Sequence, residues 1–245
     1  MFDVISLGIL VADVMAKPID NVPEEDKLAL FDRMEMHIGG CAANTAIALS
    51  RLGTKVKAIG KVGTDAFGDF VINTLGEHKV DASSVVRDPS VNTAFTFAMI
   101  SSRGRRRFLH TMGADATFGL EDIEMKDLRG AQILHVAGTY LMSHLDGQPT
   151  AELLREARRM GLKTSLDTAY NDQIEDWRQI IVPCLPHIDY FLPSIEEAEK
   201  ITGQTDSQKM ARVLAEDCPG TIAIKLGSKG LFLKTRQVEK LILPY

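Results

Sequence analysis

Gly39-Gly40-Cys41-Ala42-Ala43-Asn44-Thr45-Ala46-Ile47-Ala48-Leu49-Ser50-Arg51-Leu52-Gly53 reads as a glycine pair opening an amphipathic helix. Ala42, Ala46, Leu49 and Leu52 recur at helical spacing on one face. Glycines let backbone amides come close to a ligand, and a helix N-terminus favours oxyanions and hydroxyl oxygens. Asn44, one turn in, offers both a donor and an acceptor to a polyol. Alone, so short a pattern is equally a glycine-rich turn with a capping Asn. A second stretch adds order and distance: Gly60-Lys61-Val62-Gly63-Thr64-Asp65-Ala66-Phe67-Gly68 follows the next apolar run. Asp65 is expected to cap the helix that starts there.

Outward from these motifs, short apolar runs alternate with helix-period segments. Val4–Leu7, Val56–Ile59, Ile133–Val136, Thr164–Leu166, Tyr190–Leu192 and Ile222–Leu226 read as buried strands. Phe67, Phe70, Val71 and Leu75 mark one helix, and Thr150–Met160 another, with Thr150 its candidate N-cap and Gly161 its stop. Ser194 and Glu197 form a capping-box pattern. This alternation predicts an α/β fold: a doubly wound, mostly parallel sheet with helices on both faces. Asp13–Lys17 and the pair Thr93–Ser101 and Arg106–Thr111, turning at Ser102-Arg103-Gly104, break the order. They are expected to form a small antiparallel flap, its strands inserted at about 13–17 and 93–111 of a single domain spanning 1–245.

Hydrophobic residues make up 45% of the 245-residue chain and charged residues 25%, which allows a sizeable core without disulfides. A net charge of −5 argues against a nucleic-acid partner. The run Arg105-Arg106-Arg107 on the flap suits either an anionic substrate group or a solvated charge run, and the second is favoured. Cys41, Cys184 and Cys218 are far apart and lack metal-ligand spacing, so reduced thiols are expected. The apolar N-terminus carries Asp3 and Asp13, has no basic flank and is too short to span a bilayer. A cytoplasmic protein with no membrane partner is expected. His135, within an apolar run, is expected in the core or at a pocket wall, and Trp177 in packing at a rim.

The two motifs together resemble the signatures of the ribokinase-like carbohydrate kinases, the phosphofructokinase-B type. The first is similar to G-G-x-x-x-N-x-A-x-x-L-x-x-L-G, the second to G-x-V-G-x-D-x-F-G. The resemblance extends through Gly8–Asp13, Gly113-Ala114-Asp115 (where the family has G-A-N), Asp167, Pro193-Ser194-Ile195-Glu196-Glu197 (P-N-x-x-E) and Lys225-Leu226-Gly227-Ser228-Lys229-Gly230 (K/T-x-G-x-x-G). It implies a kinase that transfers the ATP γ-phosphoryl to a hydroxyl of a small sugar or sugar acid, with the flap closing as a lid. It implies Asp13, Gly39, Gly40 and Asn44 as substrate-binding residues. Ser194, Glu197, Lys225, Gly227 and Gly230 would serve the nucleotide, Glu197 holding Mg2+ through water. ATP, Mg2+ and a monovalent cation are the implied cofactors, and a homodimer through the lid strands the implied assembly.

From chemistry alone Asp13 also suits a strand-end surface residue, and Lys225 a surface lysine. Ser194 stands where the family has Asn, and Asp115 likewise. The family's D-T-T-G-A-G-D segment, with its catalytic base, would lie beyond Tyr245, so the 245 residues alone are expected to be essentially inactive. The alternatives are a nucleoside kinase and a sugar-binding pseudokinase. A nicotinamide dehydrogenase is disfavoured, because no G-x-G-x-x-G follows the first strand.

Overall fold

The computed structural model describes residues 2–244. In chain order the strands are β1 (Phe2–Gly8), β2 (Val11–Lys17), β3 (Arg33–Gly39), β4 (Val56–Gly63), β5 (Asp81–Asp88), β6 (Ala94–Ile100), β7 (Arg106–Thr111), β8 (Ala131–Thr139), β9 (Lys163–Thr168), β10 (Tyr190–Phe191), β11 (Thr221–Lys225), β12 (Leu231–Lys234) and β13 (Glu239–Ile242). The helices are α1 (Cys41–Arg51), α2 (Ala66–Glu77), α3 (Gly113–Ala116), α4 (Gln148–Arg159), α5 (Trp177–Ile181), α6 (Ile195–Thr202) and α7 (Ser207–Asp217).

The large sheet has the order β13-β12-β11-β10-β9-β8-β1-β4-β5. It is parallel from β11 to β5, and β12 and β13 add antiparallel strands at one edge. Its central strands, β1, β4 and β8, are largely buried because both faces of the sheet are covered there. Ile5, Leu7, Leu134, Val136 and Leu166 join the main core with residues of α4 to α7. A second core lies under α1 and α2, where Ala42, Ala43 and Ala46 are fully buried against Val56, Ala58 and Ala137. Alanines there let α1 sit close to the sheet, and the Ser6 hydroxyl donates to the Ala42 carbonyl at 2.8 Å.

A separate four-stranded sheet, ordered β3-β2-β6-β7, forms the flap, here called the lid. The hairpin β6–β7 lies beside β2 as expected, but β2 and β6 run parallel, so the lid is not wholly antiparallel. β3 was not legible: Arg33–Gly39 alternates Met34, Met36 and Ile38 with charged and polar residues on an edge strand with little burial. β5 was missed for a similar reason, since DASSVVRD is an edge strand with few apolar residues. The helix predicted from Thr150 begins instead at Gln148 with Gly147 as N-cap, and the Thr150 hydroxyl donates inward to the Leu145 carbonyl at 2.7 Å. Trp177 is buried rather than at a rim, its ring tilted against Tyr140 with centroids 4.2 Å apart.

Candidate active site

The carboxyl ends of the parallel strands, the N-terminus of α1 and the polar face of the lid meet in one region, where open α/β sheets bind ligands. β1 ends at Gly8, where a Cβ would lie 1.9 Å from the Ala137 carbonyl oxygen, so glycine is required for the chain to turn into the lid. β2 then carries Asp13. Its carboxylate lies over Gly39, at whose Cβ position Asp13 Oδ2 would be 2.2 Å away. Gly40 has φ 91° and caps α1 without a side-chain partner, and no acidic residue occupies the first turn. The first amides of α1 are therefore left to a ligand.

Asp13, Gly39 and Gly40 thus come together. Asn44 is exposed on α1 and lines a groove of about 450 Å3 with Met36, His37, Ile38 and Phe70. Among the described residues its side chain makes no hydrogen bond, and only its backbone N–H is engaged, on the Gly40 carbonyl.

Asp65 behaves as a cap and does more. It accepts from Gly68 N at 2.9 Å, from Thr93 N at 2.8 Å, from the Thr93 hydroxyl at 2.7 Å and from Asn92 at 3.2 Å. Burial works to raise its pKa, but these hydrogen bonds outweigh it and hold the carboxyl at about 2. The Thr93 hydroxyl also receives Gly63 N at 2.9 Å. The second glycine motif therefore ties β4, α2 and the root of β6 together, and its role is to seat the lid.

Asp115, in the short helix α3, is buried and accepts Leu10 N at 3.1 Å. Burial pushes its carboxyl well above the usual range, and the hydrogen bond from Leu10 N works against that rise.

At the other end of the site, Ser194 and Glu197 form a complete capping box at the start of α6. Glu197 is buried, and its Oε2 accepts from Ser194 N at 2.7 Å and from the Thr168 hydroxyl at 2.6 Å. Oε1 carries no hydrogen bond among the described residues, so one oxygen is structural and the other is left for a ligand or a water. No cluster of three or more His, Cys, Asp or Glu suited to holding a metal directly occurs among the described residues.

Lys225 ends β11 and pairs with Asp167 at the end of β9, spanning β10 between them. Burial raises the Asp167 carboxyl, and the Lys225 charge opposes that rise without cancelling it. Lys225 and Asp167 border an apolar cleft of about 530 Å3 that also includes His135, Leu192 and Ala223. His135 is buried there on Ser165 at 3.0 Å, and burial and then Lys225 lower its pKa to about 4, as a neutral pocket-wall histidine.

The loop after Lys225 turns through Gly227 (φ 58°) and Gly230 (φ 93°). A Cβ on Gly230 would meet the Ile242 carbonyl oxygen at 2.0 Å, so β13 packing demands that glycine. Gly227 has nothing within 4 Å of its Cβ position, which leaves that side of the loop open.

Arg105, Arg106 and Arg107 are exposed at the lid tip. They lie around a hollow of about 490 Å3 with Arg103 and Asp20. Strand pairing sets Arg107 opposite Met99 and Arg106 opposite Ile100, beyond the level of Asp13.

A profile of the pfkB family of carbohydrate kinases matches residues 1–244. A 5-dehydro-2-deoxygluconokinase of Mesomycoplasma hyopneumoniae strain 232 is 27% identical over 99% of this chain and 75% of its own length. A probable fructokinase-2 of Arabidopsis thaliana is 27% identical over 86% of this chain and 67% of its own. The solved structure of Arabidopsis thaliana ribokinase with ribose and ATP superposes with a TM-score of 0.83 at 21% identity, covering 99% of this chain and 78% of that one, a likeness of fold. Among the described residues, no helix is long and apolar enough to cross a membrane.

Proposed function

The chain belongs to the pfkB family of carbohydrate kinases, and from that premise we propose that it is an ATP-dependent phosphotransferase whose acceptor is a hydroxyl of a small sugar or sugar acid. The observation that carries this reading is the convergence of Asp13 with the uncapped N-terminus of α1 at Gly40. A carboxylate accepts paired sugar hydroxyls, and free helix amides donate to sugar oxygens. The relatives' names, a deoxygluconate kinase and a fructokinase, support both sugar and sugar-acid acceptors.

The nucleotide is assigned to the other end of the site. Gly227, open on its outer side, lets the loop approach ATP. Lys225 stands by the phosphates, and Ser194 and Glu197 form the adjoining helix start. Gly230 contributes by shaping the same turn. The free oxygen of Glu197 fits an aquated Mg2+, held through water as hard divalent cations near phosphates commonly are. When bound, Mg2+–ATP supplies the phosphoryl group and neutralises its charge. Asn44 is assigned to the sugar on closure of the lid. Asp13 binds the acceptor and Asp167 is held by Lys225, so neither is proposed as the base.

Two further assignments belong to this reading. The lid face opposite Asp13 carries Met34, Met36, Phe97 and Leu109, of which Met34, Met36 and Leu109 are more than 40% exposed. A second copy of the lid is the proposed cover, giving a homodimer. The three cysteines are free, as suits the reducing cytoplasm proposed as its location.

The test is calorimetric titration of the full chain with D-fructose, D-ribose, 5-dehydro-2-deoxygluconate and adenosine, each with and without Mg2+ and a non-hydrolysable ATP analogue. Saturable binding of a sugar or sugar acid, tightened by the nucleotide, is expected. Binding of adenosine alone would move the acceptor to the nucleosides.

A further inference from the structure

The strand register of the lid places His37, Asp13, Thr96 and His110 in one row across all four strands, on one face. The next row on that face, Glu35, Met15, Ala98 and Phe108, is mostly apolar, and the opposite face is apolar around Met36, Val14, Phe97 and Leu109. Among the described residues, the row level with Asp13 is the one that is polar in every strand of the lid. Side chains directly opposite on one face lie within reach of each other, and the Thr96 hydroxyl indeed meets His110 Nδ1 at 3.1 Å.

We propose that His110, oriented by Thr96, is a specificity-determining residue that hydrogen-bonds a sugar hydroxyl other than those taken by Asp13. This rests on the reading of Asp13 as a sugar ligand. The contact with Thr96 occupies Nδ1, and Nε2 has no partner among the described residues. A neutral imidazole nitrogen donates in one tautomer and accepts in the other, and a hydroxyl complements both. Partial burial lowers the His110 pKa and the Asp13 charge works against that shift. The ring is exposed in the lid as it stands, so closure over a sugar can bring it to the ligand.

The experiment takes the tightest-binding sugar or sugar acid of the same panel, together with its set of monodeoxy analogues. Binding of each is measured to the wild-type chain, to His110→Phe and to His110→Gln. His110→Phe is expected to weaken the parent ligand by about 3- to 10-fold, the range for one hydrogen bond. It should leave unchanged the affinity of the one analogue that lacks the contacted hydroxyl. His110→Gln, which puts an amide near the position of Nε2, should recover part of the loss. An equal loss for every analogue, or no loss at all, overturns the assignment while leaving the sugar site in place. Absence of binding of any panel member to the wild type overturns the sugar-site reading, and the His110 assignment with it.

Discussion

Replacing Asp65 by Ala removes one carboxylate from the point where α2, β4 and the lid root meet. The variant loses the N-cap of α2, which costs about 1 kcal/mol. It also strands the Thr93 backbone N–H, at a residue only 1% exposed, and an unsatisfied buried donor costs about 1–3 kcal/mol. The expected destabilisation is therefore about 2–4 kcal/mol, and a domain of this size should melt about 5–15 °C lower. Urea unfolding followed by circular dichroism measures it. Asp65→Asn, which keeps one acceptor but turns an amide toward Thr93, should fall between wild type and Ala.

The pH dependence follows from the same hydrogen bonds. They hold the folded-state carboxyl at about 2, below its ordinary 3.8. A depressed carboxyl contributes stability that is complete above the unfolded value and is lost as pH falls through the folded one. The gap between wild type and Asp65→Ala should thus be constant near neutral pH and narrow between pH 3.8 and about 2. A destabilisation below about 0.5 kcal/mol, the level of an ordinary surface substitution, or a gap that widens on acidification, would refute the reasoning.

Other outcomes follow from the same structure. Glu197→Gln preserves an acceptor for Ser194 N and Thr168, so it should leave stability nearly unchanged while weakening Mg2+–nucleotide binding; Glu197→Ala should also lose about 1–2 kcal/mol of stability, read by thermal melts, as its cap fails. Met36→Glu puts a charge on the apolar lid face and should shift the proposed lid-to-lid dimer to monomer in sedimentation equilibrium, with the monomer fold intact; a monomeric wild type, or a dimer of unchanged affinity in the variant, would contradict that interface.

Much of this architecture was legible in the sequence because the parallel strands are buried on both faces. Val4–Leu7, Ile133–Val136 and Ile222–Leu226 are apolar runs that no surface segment would carry. The glycine pair at 39 and 40 is expected from the sequence to admit a ligand to the backbone; that a Cβ there would also meet Asp13 and Ile9 of the chain itself is visible only in the structure. The lid was only half legible. β3 alternates Met34, Met36 and Ile38 with polar residues but is an exposed edge strand that buries little, and the parallel pairing of β2 with β6 depends on a long-range register that local patterning does not encode. The row His37, Asp13, Thr96, His110 is not legible for the same reason: its members come from four strands and are neighbours only through pairing. The Glu197 cap was visible as Ser194-x-x-Glu197, whereas its bond to Thr168 was not, since 29 residues separate the partners. Asp115 stood out by its difference from the family pattern, but its burial and its bond to Leu10 N belong to the tertiary structure.

The most direct test of the central claim, that the sugar is held between the lid carboxylate and the start of α1, is the affinity of Asp13→Ala for the panel ligand that binds the wild type. Asp13 is only partly buried, so the fold should survive, as circular dichroism and the melting curve would show. Loss of charge-assisted hydrogen bonds, worth about 1.5–3 kcal/mol, should weaken sugar binding by about 10- to 150-fold, with the nucleotide affinity of the same protein unchanged. Sugar binding of wild-type strength in a folded Asp13→Ala protein would contradict the account.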